Sequence, residues 1–117
     1  IVAGLLEEGD RGLEGLRHRA VAEVFEEAGY SVNPEAVELL GPPFFVAPGI
    51  ISEKIFLTAV EVSDRESSIP LGDGSPLEEG GVVRWRSLPS LEAALREGTI
   101  QDAKTELGLR RFLARHV

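Results

Sequence analysis

Residues 23–30 read Glu-Val-Phe-Glu-Glu-Ala-Gly-Tyr and place three carboxylates within five positions of a predicted helix. At spacings of three and four, Glu23, Glu26 and Glu27 project from one helical face, close to one another. Like charges in this arrangement destabilise a helix unless a cation lies among them. Two interpretations follow from spacing alone. The glutamates form either a solvated acidic face or a set of oxygen ligands for Mg²⁺ or Mn²⁺ with positions left for water and phosphate.

The helix that carries these glutamates is predicted to follow a turn at residues 7–10 and to end at Gly29 in a left-handed cap. Residues 1–6 are predicted to be the end of a buried strand running into that turn, so we expect an upstream part with the first strands to be missing. Apolar side chains at three- and four-residue spacing define the buried face of the helix: Leu13, Leu16, Ala20, Val24 and Ala28.

The rest of the chain predicts short strands, a loop and two helices. Residues 36–47 contain two adjacent prolines and suit an edge or bulged strand. Residues 55–62 and 82–86 are predicted strands, separated by a long acidic loop at 63–81. This order predicts an α/β or α+β domain over residues 1–117, layered as α/β/α.

Two helices are predicted near the C-terminus. Ser90 is predicted to cap a helix over residues 91–97 that stops at Gly98. Asp102 is predicted to cap a last helix reaching Arg115, with these apolar side chains inward: Leu107, Leu109, Phe112 and Leu113.

Composition excludes several classes of function. The 117 residues include no cysteine, which rules out disulfides, zinc–thiolate sites and cysteine catalysis and makes the cytoplasm the expected compartment. No apolar run is long enough to span a membrane. The formal charge of −8 argues against nucleic-acid binding, which needs clustered Lys and Arg.

Residues 23–30 resemble the second half of the Nudix box, G-x5-E-x7-R-E-U-x-E-E-x-G-U, where U is apolar. Tyr30 takes the last apolar place, and five further positions match directly: Glu23, Val24, Glu26, Glu27 and Gly29. In the family, the residue before the first matched glutamate is an arginine that orients the glutamates. Here it is Ala22, and Arg19, four residues before Glu23, is a partial substitute.

The first half of the box has two possible registers. Without a gap, Glu14 takes the place of the first glutamate, but Glu8 stands where the box has glycine. With four extra residues, about one helical turn, Gly4 is the box glycine and Asp10 its acidic residue. We favour the second register, because the strand-to-loop transition at residues 3–5 and the following turn then match together.

Three further motifs resemble ADP-ribose pyrophosphatases and related nucleoside-diphosphate-sugar hydrolases. Residues 48–53 look like a Pro-Gly-x-x-x-Glu loop, residues 74–80 like a glutamate-bearing loop, and residues 98–105 like a C-terminal signature. The resemblance covers nearly the whole chain from residue 3 onward.

This resemblance implies a Nudix fold, an α/β/α sandwich with a mixed sheet, acting as a homodimer on a small-molecule substrate. The implied reaction is Mg²⁺-dependent (or Mn²⁺-dependent) cleavage of the diphosphate in ADP-ribose or another nucleoside diphosphate sugar, giving a nucleoside monophosphate and a sugar phosphate. Two alternatives stay open: a degenerate Nudix domain that binds a nucleotide or partner without turnover, and a house-cleaning enzyme for free nucleotides, which the C-terminal signature disfavours.

The resemblance also implies roles for individual residues. Metal ligands are Glu23, Glu27 and Glu26, with the backbone carbonyl of Ala3 or Gly4 completing the set, and Glu26 is counted with the catalytic group as well. Glu79 is the first choice for the general base and Glu78 the second, against the interpretation that both are solvated loop acids. Glu53 and Gly49 are expected at the substrate, although a surface role suits Glu53 equally well.

Overall fold

The structure is a computed structural model that describes residues 1–62 and 83–117. Its mixture of helices and short strands is compatible with the predicted α+β class. The elements, in chain order, are helix α1 (Gly12–Glu23), a π-helical segment (Val24–Ala28), a 3₁₀ turn (Pro34–Ala36), strands β1 (Glu38–Leu39), β2 (Phe44–Phe45), β3 (Lys54–Ile55) and β4 (Thr58–Ala59), and helices α2 (Leu88–Glu97) and α3 (Ala103–His116).

The chain divides into two compact units. The first comprises Ile1–Glu38 with Val60–Arg84, and the second Leu39–Ala59 with Trp85–Val117. Each unit has its own small apolar core among the described residues: Ala28, Val32 and Val37 in the first, and Leu40, Leu57 and Leu95 in the second. The expectation of a single domain over residues 1–117 stays a prediction.

In the first unit, the predicted turn and helix are both present. The Asp10 N–H donates to the Glu7 carbonyl at 2.9 Å and closes the turn, and α1 begins two residues later. The last five helical residues wind as a π-helix and end at Gly29, whose φ of 76° is a conformation that glycine adopts without strain. The helix therefore has the predicted end, but its last turn is wider than an α-helical turn.

The predicted buried strand at residues 1–6 is wrong. These residues form no strand, and Ile1 and Leu5 are 69% and 77% exposed. Arg17 attaches α1 to the core of this unit, because its Nε donates to the carbonyl of the buried Val37 at 3.1 Å.

In the second unit, the predicted strands are shorter than expected. Residues 36–47 give two separate strands interrupted around the adjacent prolines, which cannot donate to a ladder. Strand β2 pairs antiparallel with β3, Phe44 facing Ile55, whereas β4 pairs with β1. A continuous strand over 55–62 is therefore wrong, because Ile55 belongs to β3 and residues 58–59 form β4, which pairs in a different ladder, and residues 60–62 belong to neither.

The residues before α2 also correct two predictions. Residues 83–86 form no strand, and Trp85 is 69% exposed. Ser87, not Ser90, caps α2, because the Ser87 side chain accepts the Ser90 N–H at 3.4 Å. The helix thus begins one turn before Leu91, and it ends at Gly98 as predicted.

Helix α3 has the predicted cap at Asp102, whose side chain accepts the Thr105 N–H at 3.0 Å. Its predicted inward side chains are only partly buried, and Gly108 is the buried residue of the helix. Arg111 holds α3 to the connection between β1 and β2: its Nη1 donates to the carbonyls of Leu40 and Pro42 at 3.1 and 2.8 Å.

Within residues 1–62 and 83–117, none of the helices combines the length and apolar composition needed to cross a lipid bilayer.

Candidate functional site

Two glutamates of the helix lie against the backbone of Ala3 and Gly4. Glu27 Oε2 accepts the Ala3 N–H at 3.2 Å. A Cβ atom on Gly4 would overlap the Glu23 carboxylate, so this close approach requires glycine. The structure therefore brings Glu23, Glu27 and Ala3 together. They meet beside Gly4, which is the box glycine in the register with four extra residues.

Arg19 is the cation among these carboxylates. Its Nε donates to Asp10 Oδ2 at 2.8 Å, its Nη2 lies 3.2 Å from Glu7 Oε2, and its Nη1 lies 3.9 Å from Glu23 Oε1. The side chains of Arg19, Asp10 and Glu23 are 21%, 15% and 14% exposed, whereas that of Glu7 is 72% exposed. The proximity of Arg19 to Glu23 agrees with their i,i+4 spacing. The additional ion pair with Glu7 carries no signal in the sequence.

Hydrogen bonding keeps the Asp10–Arg19 pair ionised. The Arg19 guanidinium, and then the Glu7 N–H at 2.8 Å from Oδ2, lower the pKa of Asp10 below its usual value. The same hydrogen bond to Asp10 raises the pKa of Arg19. Both charges are therefore present across the physiological pH range.

Glu26 does not share the contacts that Glu23 and Glu27 make with the backbone of Ala3 and Gly4. It lies within the π-helical segment, where the wider turn displaces a residue three positions on from Glu23 around the helix axis. In the part of the chain that the structure describes, the Glu26 side chain makes no hydrogen bond or ion pair. Its predicted roles in metal binding and catalysis stay predictions.

The donor set fits a hard cation of the magnesium type. Within residues 1–62 and 83–117, no group of three or more His, Asp or Glu side chains is arranged to hold a metal ion. Mg²⁺ does not need such a cage, since it is commonly held by one or two carboxylates together with water and substrate phosphates. Glu23 and Glu27, beside the Ala3–Gly4 backbone, supply that number of carboxylates.

The other four predicted site residues either belong to the second unit or lie outside the described residues. Gly49 and Glu53 are exposed residues of the second unit. Gly49 lies in a turn closed by the Ile50 and Ile51 N–H groups, which donate to the Ala47 carbonyl at 3.0 and 2.8 Å. Glu53 directly precedes β3. Glu78 and Glu79 lie outside the described residues.

The first unit also contains a cavity of about 450 Å³ that the sequence did not predict. Helix α1 and the 3₁₀ turn form its lining, which consists of Leu13, Glu14, Arg17, His18, Asn33, Pro34 and Glu35. With 3.6 residues per turn, Glu14 points in roughly the opposite direction from Glu23 on α1. The lining of the cavity includes neither Glu23 nor Glu27, so the cavity is distinct from the carboxylate cluster.

Compared with protein-family models, with curated proteins and with solved structures, the chain gives no match.

Proposed function

We propose that this chain is a Nudix-type hydrolase that cleaves the diphosphate of ADP-ribose or another nucleoside diphosphate sugar in the presence of Mg²⁺ or Mn²⁺. The products are a nucleoside monophosphate and a sugar phosphate. One observation carries the proposal: Glu23 and Glu27 converge on the backbone of Ala3 and Gly4. These positions are about twenty residues apart, and the box motif is the feature of the sequence that relates them.

The proposed metal ligands are Glu23 and Glu27, joined by Glu26 and by the Ala3 or Gly4 carbonyl. A bound divalent cation would neutralise charge developing on the diphosphate and lower the pKa of a water molecule. Arg19 holds Glu23 in place and offsets the repulsion between the carboxylates.

The remaining roles rest on the resemblance. Glu79, or secondarily Glu78, accepts the proton of the attacking water, and Glu53 and Gly49 contact the substrate. The finer fold proposal, an α/β/α sandwich with a mixed sheet, and the homodimer have the same basis. The proposed cytoplasmic compartment rests instead on the absence of cysteine from the sequence.

A Nudix-type domain that binds a nucleotide or a partner without turnover is the second candidate. Ala22 at the arginine position and the π-helical winding at Glu26 favour it. Both features weaken the positioning of glutamates, on which catalysis depends more steeply than binding.

Two measurements test the proposal. A panel of nucleoside diphosphate sugars with Mg²⁺ or Mn²⁺ should yield product from which a phosphatase releases phosphate. Titration with Mn²⁺ should broaden NMR signals of residues 23–27 and of Ala3 and Gly4. Broadening confined to the acidic loop, residues 73–79, would contradict the placement of the metal, and absence of product across the panel would contradict the hydrolase.

A further inference from the structure

We infer that Arg19 is the positioning residue of this site: it holds the segment from Ala3 to Asp10 against α1 and thereby keeps that backbone on the Glu23 and Glu27 carboxylates. The catalytic consequence of this role rests on the proposed function, whereas the structural consequence does not.

The three nitrogens of one guanidinium face three different carboxylates. Nε bonds Asp10, Nη2 faces Glu7 and Nη1 faces Glu23. Asp10 and Glu7 belong to the turn before the helix, and Glu23 belongs to the helix. Arg19 therefore connects the turn to the glutamate that lies on Gly4.

Burial decides which of these contacts matters. Exposed ion pairs add little, because water and salt screen them. Glu7 is mostly exposed, so its pair with Arg19 contributes little. Asp10 and Glu23 are mostly covered, and loss of Arg19 would leave both carboxylates without this cation in a poorly solvated position.

The turn anchored by Arg19 leads directly to the backbone that contacts the glutamates. Asp10 Oδ2 accepts both the Arg19 Nε–H and the Glu7 N–H, so the guanidinium and the turn share one oxygen. Four residues before Glu7, the Ala3 N–H donates to Glu27. Release of Asp10 from α1 thus frees the chain that holds Ala3 in place.

Position 22 is poorly placed for the same task in this chain. Neighbouring helical residues point in directions about 100° apart, whereas residues four apart lie on the same face. Arg19 reaches Glu23 along the helix and Asp10 beside it. We therefore expect Ala22→Arg not to restore what Arg19→Gln removes.

The test compares Arg19→Gln and Arg19→Lys with Arg11→Gln. Arg11 is an exposed arginine at the start of the same helix, and its side chain does not cap the helix. Mn²⁺ affinity is measured by electron paramagnetic resonance, and hydrogen exchange is measured at the Ala3 and Glu7 amides. Exchange at the amide of Val37, a buried residue of the same unit whose N–H donates to the Pro34 carbonyl, reports whether that unit remains folded in each variant.

We expect Arg19→Gln to weaken Mn²⁺ binding by about 10- to 100-fold, as loss of a residue that orients metal ligands typically does. Exchange at the Ala3 and Glu7 amides should accelerate several-fold, with exchange at the Val37 amide unchanged. Arg19→Lys should fall between, since it keeps the charge but not the planar fork. Arg11→Gln should match the wild type in every measurement.

The outcomes separate this inference from the proposed function. If Arg19→Gln behaves like Arg11→Gln in exchange at Ala3 and Glu7, the positioning role is refuted, whether or not the wild type hydrolyses a substrate. If exchange accelerates as expected but the wild type hydrolyses nothing on the panel, the positioning role holds and the hydrolase proposal fails.

Discussion

At the scale of single residues, Gly4 matters because it has no Cβ atom. The Glu23 carboxylate occupies the space that a Cβ would need. The three nearest atoms all belong to the flexible Glu23 side chain, so we expect a larger residue at position 4 to displace Glu23 rather than the backbone. A substitution of Gly4 should therefore change the position of the Glu23 carboxylate with little effect on the free energy of unfolding.

Gly4→Ala should weaken Mn²⁺ binding about 10-fold or more while lowering the free energy of unfolding by less than about 1 kcal/mol. The physical reason is that Glu23 rotates away from the Ala3–Gly4 backbone. The matched control is Gly9→Ala, since a Cβ at Gly9 would meet no atom within 4 Å. Calorimetric titration and urea unfolding measure the two effects. Equal Mn²⁺ affinity in the two variants would show that the approach of Glu23 to Gly4 is not part of the metal site.

The sequence predicted one proximity that the structure shows. The resemblance to the Nudix box relates Gly4 to Glu23 and Glu27, and the structure brings both glutamates to the Ala3–Gly4 backbone. Their role in a metal site stays a prediction. Glu26 was grouped with them because α-helical spacing was assumed, and π-helical winding leaves no mark in the order of residues.

At the scale of elements, the helices were predictable and the strands were not. Asp102, Gly29 and Gly98 cap helices through local hydrogen bonds and backbone angles, which the neighbouring residues determine. A strand forms only when another segment pairs with it, and its own residues do not determine that partner. Residues 83–86 alternate as a strand does, yet they form none. The cap of α2 is Ser87 rather than the predicted Ser90, because a cap depends on which N–H the side chain can reach.

The cap of α3 gives a prediction with a pH dependence. The Thr105 hydroxyl, then Lys104 and the Thr105 N–H, hold the pKa of Asp102 well below its usual range. Asp102→Ala should lower the free energy of unfolding at pH 7 by about 1 kcal/mol, the typical value of an N-cap, and Asp102→Asn by less.

The sign of the pH effect follows from the lowered pKa. An unfolded aspartate has a pKa near ~3.9, so the stabilisation by Asp102 is fully present above about pH 4 and is lost as the pH falls toward the folded value. The difference in unfolding free energy between wild type and Asp102→Ala should therefore narrow between pH 5 and pH 2, roughly, in urea unfolding. A difference that stays constant over this interval would mean that the ionised carboxylate does not provide the cap.

At the scale of the whole molecule, the described residues show two small ladders rather than one sheet. The mixed sheet of the proposed fold needs further strand pairing, and pairing depends on residues far apart in the chain. The amino-acid composition says less about function than the motifs do, because an acidic protein can be an enzyme or a binding module. The two functions differ in one chemical requirement, a base that removes a proton from water.

That requirement can be tested at the predicted base. Glu79→Gln keeps the size and hydrogen-bonding capacity of the side chain and removes the proton acceptor. If Glu79 is the base, turnover should fall by about 10²- to 10⁴-fold with Mn²⁺ affinity unchanged, because Glu23 and Glu27 are untouched. Glu78→Gln is the matched control and should have a smaller effect. Steady-state kinetics on the best substrate of the panel and a Mn²⁺ titration measure turnover and Mn²⁺ affinity.

Full activity in both variants would show that neither glutamate is the base, and Glu53 would be tested next. A wild-type chain that binds nucleotide and Mn²⁺ but releases no product would favour the binding module, in which neither glutamate has a proton to accept.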